Sequence, residues 1–139
     1  MRVWLALALV WSCSSAPSEP GSGSGAIVTF AFQGATDTML VLIEDPVTIA
    51  RAEARARTGV GAAIPIGPIV RGAGVDPRFP FRFLPDSVRL TELAIELCDG
   101  RPMRTAEEVD DFFEGSTGNR GAPRATWCSW GAYPVAVRR

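Results

Sequence analysis

Residues 26–59 read AIVTFAFQGATDTMLVLIEDPVTIARAEARARTG, and the fold class follows from the signals in this segment. Ala26 to Phe32 and Thr38 to Glu44 are rich in the branched and aromatic side chains that suit strands. The link Gln33 to Asp37 contains Gly34, so the two runs predict a β-hairpin. Ile27, Thr29 and Ala31 alternate with Val28, Phe30 and Phe32, which puts the larger apolar set on one face. Asp45-Pro46 then starts a helix. The aspartate can accept from the first free N–H groups, and proline is tolerated at the first helical position. Gly59 is placed to close that helix. Glu53 and Arg57 form a favourable i,i+4 pair, whereas Arg51 and Arg55 repel, so this face is expected to be solvated. Val47, Ala50 and Ala54 supply a narrow apolar stripe.

Downstream, Gly61 to Val70 (GAAIPIGPIV) is apolar but holds Pro65 and Pro68, which predicts an edge strand or a strand with a break. Arg71 to Pro80 reads as a loop. Phe81 to Asp99 (FRFLPDSVRLTELAIELCD) carries strand signal in two phases: Val88 and Leu90 in one, Leu93, Ile95 and Leu97 in the other. Because a one-residue slip flips every side chain, a bulge near Glu92 or a division into two strands is required. Thr105-Ala106-Glu107-Glu108 is a capping box. Val109, Phe112 and Phe113 follow at helical spacing, with Gly115 as the expected end. Trp127 to Trp130 and Tyr133 to Val137 return to the sheet. The expected fold is α+β, a mainly antiparallel sheet with two helices packed on one side and one disulfide.

Upstream, Arg2 and the apolar run Val3 to Trp11 resemble a signal peptide. As a helix, nine residues span about 13–14 Å, against a bilayer core of about 30 Å. Val10-Trp11-Ser12-Cys13 resembles a bacterial lipobox, with Trp11 as a bulky departure, and makes Cys13 the expected site of lipidation. The other reading is an ordinary secretory signal cut near Ser15 or Ala16. Ser14 to Gly25 (SSAPSEPGSGSG) lacks the apolar surface to fold and is expected to act as a tether of about 17–20 Å. Ser14 after the cysteine resembles an outer-membrane lipoprotein. The expected organisation is a signal peptide at 1–12, a lipidated cysteine and tether at 13–25, and a globular domain at 26–139. Secretion as a soluble protein is the alternative localisation.

The chain has 139 residues, is 47% hydrophobic and 21% charged, and carries a net charge of −1. That composition suits one folded domain and argues against a nucleic-acid partner, which needs a basic surplus. There is no histidine, and all fourteen basic residues are arginine. Histidine-based catalysis, histidine-ligated metals and lysine Schiff-base chemistry are therefore excluded. There are three cysteines. If Cys13 is lipidated, Cys98 and Cys128 remain and are expected to pair in an oxidising compartment. Two unpaired buried thiols, or a reactive Cys128, are the other readings.

Three stretches taken in order, EDPVTIARAEAR, FRFLPDSVRLTELAIELCDG and GNRGAPRATWCSWG, resemble the family of small exported domains named for the N-terminal domain of the protein BP-seventy-four. The most specific parts are Asp45-Pro46, Ala94 to Asp99 and Trp127-Cys128-Ser129-Trp130. The resemblance covers about residues 27–137. It implies the fold and export, and recurrence of the two cysteines fits the same disulfide. Where the family tends to an aromatic-His-Leu-Asp-Pro run, this chain has Phe81-Arg82-Phe83-Leu84-Pro85-Asp86. Any site built on that histidine is absent, and the resemblance brings no catalytic residue.

Candidate chemistry is sparse. Glu107, Glu108, Asp110, Asp111 and Glu114 spread over a helix, without the loop pattern that calcium favours, and read as a solvated face. No metal and no cofactor are expected. Arg78, Phe79 and Arg82 in the Gly/Pro-rich loop, with Trp127 and Trp130, form the candidate binding surface, because loops and exposed aromatics carry recognition. For the tryptophans, packing of the indole rings against the disulfide is favoured over an exposed platform. The expected function is noncovalent binding at the cell envelope by a membrane-anchored lipoprotein with a protein partner, protease inhibition being one form. The alternatives are a carboxylate-dependent, glycosidase-like hydrolase using acids such as Asp86, Glu92, Glu96 and Asp99, or a purely structural envelope lipoprotein.

Overall fold

The computed structural model describes residues 25–92, 100–129 and 131–139. In chain order the elements are β1 (Ala26–Phe32), β2 (Thr38–Ile43), α1 (Pro46–Thr58), β3 (Ile64–Arg71), β4 (Phe81–Phe83), β5 (Arg89–Thr91), α2 (Ala106–Thr117), β6 (Ala125–Cys128) and β7 (Ala132–Arg138). The fold is α+β, and all described strand pairs are antiparallel.

The strands form two sheets rather than the single one expected. One has the order β2-β1-β7; in the other, β3 pairs with β4, β5 and β6. The helices are correspondingly divided. α1 lies against β7, β1 and β5, and α2 against β6. The reason lies in the core. Val28, Phe30 and Phe32 of β1 share one buried cluster with Met39, Val41 and Ile43 of β2, Ile69 of β3, Phe81 and Phe83 of β4, and Trp127 of β6. One apolar cluster therefore joins both sheets, and Ile49 and Ala52 of α1 and Val109 and Phe113 of α2 complete it.

The hairpin forms as its sequence predicts, with Val28 opposite Val41 and Phe30 opposite Met39. α1 begins at Asp45, whose carboxylate accepts from the Thr48 N–H at 2.8 Å, and it closes on Gly59 in the left-handed conformation at φ 71°. Its buried stripe differs from the expected one. Thr48, Ile49 and Ala52 face inward, and Val47 and Ala50 face solvent. The hydroxyl of Thr48 lies 2.6 Å from Asp45 and 3.1 Å from the Val88 carbonyl, so a polar residue is accepted in the buried row.

β3 is central, not an edge. Its two prolines favour an edge, because proline cannot donate to a ladder. On one side, however, the pairing is divided between β5, opposite 64–66, and β4, opposite 69–71. Proline also still accepts: the Leu84 N–H donates to the Pro68 carbonyl at 3.0 Å. Residues 81–91 divide into β4 and β5 across a Pro85–Ser87 turn, and residues 93–99, which carry the second phase after the expected bulge or division near Glu92, lie outside the described residues. α2 carries the predicted capping box on Thr105 and Glu108, but it runs through Gly115 to a left-handed Gly118. In β7, Thr29 pairs with Ala136 and Phe30 with Pro134, so Val135 is an extra residue that shifts the register. The expected disulfide partner Cys98 lies outside the described residues; Cys128 is buried at the end of β6.

Candidate binding site

A concavity lies where the edge of β2 faces β4. It has a volume of about 260 Å³. Met39, Leu40, Val41 and Leu42 form one wall, Phe81 and Phe83 another, and Ala73, Gly74, Val75 and Asp76 the lip. Strand alternation buries Met39 and Val41 fully and leaves Leu40 and Leu42 half-buried on the other face.

Two pins hold the β2 edge open to this cleft. The Leu40 N–H donates to the Asp76 carboxylate at 3.0 Å, and the Glu44 N–H donates to the Pro85 carbonyl at 2.9 Å. Leu42 lies between them. An exposed strand edge is a pairing template, and these contacts shorten it.

Asp76 is the electrostatic centre of the lip and is 3% exposed. It sits in a turn in which the Phe79 N–H donates to its own carbonyl at 3.3 Å, with Pro77 at the second position. Arg78 donates to it three times, Nε to Oδ1 at 2.9 Å, Nη2 to Oδ2 at 2.7 Å and its backbone N–H to Oδ1 at 3.2 Å. This pairing holds the Asp76 carboxyl below the usual range; burial opposes the shift, and the Leu40 N–H assists it. Arg78 also reaches the Asp37 carboxylate at 3.2 Å and the Thr38 carbonyl at 2.7 Å, tying the loop to the hairpin.

The expected binding-surface residues fall into three groups. Phe79 is 0% exposed and Trp127 is 1% exposed, so neither offers a platform to solvent. Phe79 lies beneath the guanidiniums of Arg104, 4.1 Å from its ring, and Arg78, at 5.7 Å. Trp127 packs on Phe81 and Phe83 with ring centroids 5.1 and 5.4 Å away. Its indole N–H is buried and has no hydrogen-bond partner among the described residues. The burial of Trp127 on β6 agrees with the packed reading of the indole, on Phe81 and Phe83, whereas Phe79 is a correction: the second sheet turns this loop aromatic inward. Arg78 and Arg82 do reach the surface, but each is engaged internally. Arg82 donates to the carbonyls of Arg71 and Gly72 at 3.1 and 3.2 Å. Gly74 allows the Arg82 stem to lie on the loop, since a β-carbon there would stand 2.9 Å from Arg82 Cβ. Trp130, like Cys13, lies outside the described residues.

The acidic residues are likewise dispersed. Asp110 pairs with Arg71 at 2.7 Å, Asp111 and Glu114 face Arg120 at 2.9 and 3.6 Å, and Glu108 caps α2. The hydrogen bonds from Arg104 and Thr105 hold the Glu108 carboxyl low. Asp86 and Glu92 are exposed, and Glu96 and Asp99 lie outside the described residues. Asp76 is the one carboxylate that lines the β2–β4 cleft among the described residues, and Arg78 already neutralises it.

Sequence reasoning singled out neither Asp76 nor the hydrophobic wall of Leu40, Leu42 and Val75. The available signal was Asp76-Pro77, which repeats the Asp-Pro pattern that starts α1 and here starts a turn.

A family model matches residues 26–138, nearly all of the folded chain just described. The chain belongs to the BP-seventy-four N-terminal domain family. No curated protein and no solved structure matches it. For this member of the family the loop 72–80 is thus a clasp between two sheets and the lip of an apolar cleft.

Proposed function

We propose that this chain is an exported, lipid-anchored binding domain whose cleft between β2 and β4 receives an apolar side chain of a protein partner at the cell envelope. The carrying observation is the cleft itself. Its walls are Leu40, Leu42, Phe81 and Phe83, and its only described carboxylate is already paired. Such a site favours insertion of a hydrophobic group over proton transfer, which needs a carboxyl with its proton in play. Val75 at the lip is 38% exposed, an apolar residue positioned to meet what enters.

The apolar leader, the lipobox-like Val10 to Cys13 and the Ser/Gly/Pro segment after it support export and acylation at Cys13. None of the described helices is long and apolar enough to cross a membrane. Anchoring in this reading therefore falls to the acyl chains, which together hold stably where one does not. Cys128, buried at the end of β6, pairs with Cys98 in the same reading, which suits an exported chain.

Val75→Asp places a charge at the cleft mouth on a residue that is not part of the core. Affinity capture from envelope extract with the full chain is expected to recover a partner with the wild type and lose it with Val75→Asp. Equal recovery by both proteins would place the partner elsewhere and refute the cleft assignment.

A further inference from the structure

We propose that the exposed face of α1 lies against an anionic phospholipid surface. The inference rests on the lipid-anchored reading and adds a second, electrostatic contact to it.

The first support is the face that α1 leaves open. Because Thr48, Ile49 and Ala52 turn inward, Val47, Ala50, Arg51, Ala54 and Arg57 share the outer side at spacings of three and four residues. Val47 is 59% exposed, and Val60 just past the helix is 74% exposed. Small apolar residues interleaved with arginine suit a helix lying in a headgroup layer. The arginine stems cover apolar surface while the guanidiniums pair with phosphate.

The second support is where the chain enters. At Gly25, the first described residue, a β-carbon would stand 3.3 Å from the Glu44 side chain, one residue ahead of the Asp45 cap. Ala26 pairs with Ile43, and Ile27 pairs with Arg138. The segment from Cys13 therefore joins the domain at the start of α1 and beside the chain's C-terminal arginines. A thirteen-residue helix is about 20 Å long, close to the reach of that segment. An anchor at Cys13 holds this face near the bilayer.

The third support is charge. Glu53 is engaged with Arg139 at 3.0 Å, Asp45 with the Thr48 cap, and Arg55 with the Gly59 carbonyl. Arg51 and Arg57 have no ion-pair partner among the described residues; Glu44, Asp45 and Glu92 are the acids beside this face, and Arg89, 3.9 Å from Asp45, is a further cation there. α2, on the other sheet, carries Glu107 outward, and its Asp111 and Glu114 face Arg120. An anionic surface attracts the α1 side and repels the α2 side, which sets orientation as well as affinity.

Hydrogen exchange on the full chain bound to vesicles tests this. Phosphatidylcholine vesicles are compared with vesicles that also contain phosphatidylglycerol, at low and high salt. The expected result is slower exchange over residues 46–60 on the anionic vesicles alone, reversed by salt, with residues 106–117 unchanged. Arg51→Gln and Arg57→Gln are each expected to weaken the salt-sensitive binding about fivefold, with an unaltered thermal melt. Identical exchange on both vesicles, or protection of α2 instead, would overturn the proposal. Failure to float with phosphatidylcholine vesicles would reject the acyl anchor alone, because α1 protection on anionic vesicles reads the helix face independently.

Discussion

Asp76 shows how one side chain joins distant parts of this fold. Its carboxylate accepts from Leu40 on β2 and from Arg78, and Arg78 continues to Asp37 and Thr38. Asp76→Asn removes the bidentate charge pair and turns one acceptor into a donor facing other donors. The expected cost is about 2 kcal/mol, read as a lower melting temperature. The sign of the pH effect follows from the same geometry. The folded carboxyl titrates below its unfolded value, so its contribution is present above about pH 4 and disappears as pH falls through the lowered folded value. The variant is thus expected to lose less stability than wild type between neutral pH and pH 3. Parallel acid profiles for the two proteins would show that Asp76 is not the pin described.

Among the secondary-structure elements, β3 carries the most demanding position. A β-carbon at Gly67 would stand 3.0 Å from the Ser87 carbonyl and 3.3 Å from Val88 Cα, both backbone atoms. Glycine there lets the Pro85–Ser87 turn cross β3 closely, and that turn delivers the Pro85 carbonyl to the β2 edge. Gly67→Ala must displace one backbone or the other. It is expected to destabilise by about 1–3 kcal/mol in denaturant unfolding; a neutral effect would mean the turn moves freely. The helices are legible from their ends, because caps are local chemistry: Asp45 and Gly59 are both readable, as are Thr105 and Glu108. Gly115 is not the stop that its residue type suggests, because a glycine inside a helix costs only about 1 kcal/mol, which the surrounding packing of Phe113 outweighs. The buried row of α1 escapes a reading of the sequence because Thr48 looks polar until Val88 supplies its acceptor.

Across the molecule as a unit, one buried cluster spans both sheets, and the proposed Cys98–Cys128 bridge closes a loop that contains α2. Such a bridge restricts the unfolded chain by roughly 3–4 kcal/mol in the chain-entropy account. Reductant is expected to lower the melting temperature and to raise the intact mass by two hydrogens. Two thiols that react with alkylating reagent before reduction would contradict the pairing. The candidate site belongs to this scale as well, since its walls come from β2, β4 and the loop between β3 and β4.

Residue order was enough for whatever depends on neighbours along the chain: the hairpin and its alternation, both helix starts, the α+β class, the family resemblance and the removal of histidine and lysine chemistry. Three features came from the assembled fold alone. The strands divide into two sheets that share one core, Pro65 and Pro68 sit in a central strand, and Phe79 points inward. The physical reason is that burial is a property of facing surfaces. An aromatic side chain carries the same apolar area whether it meets water or another sheet, and only the arrangement of distant strands settles which it meets.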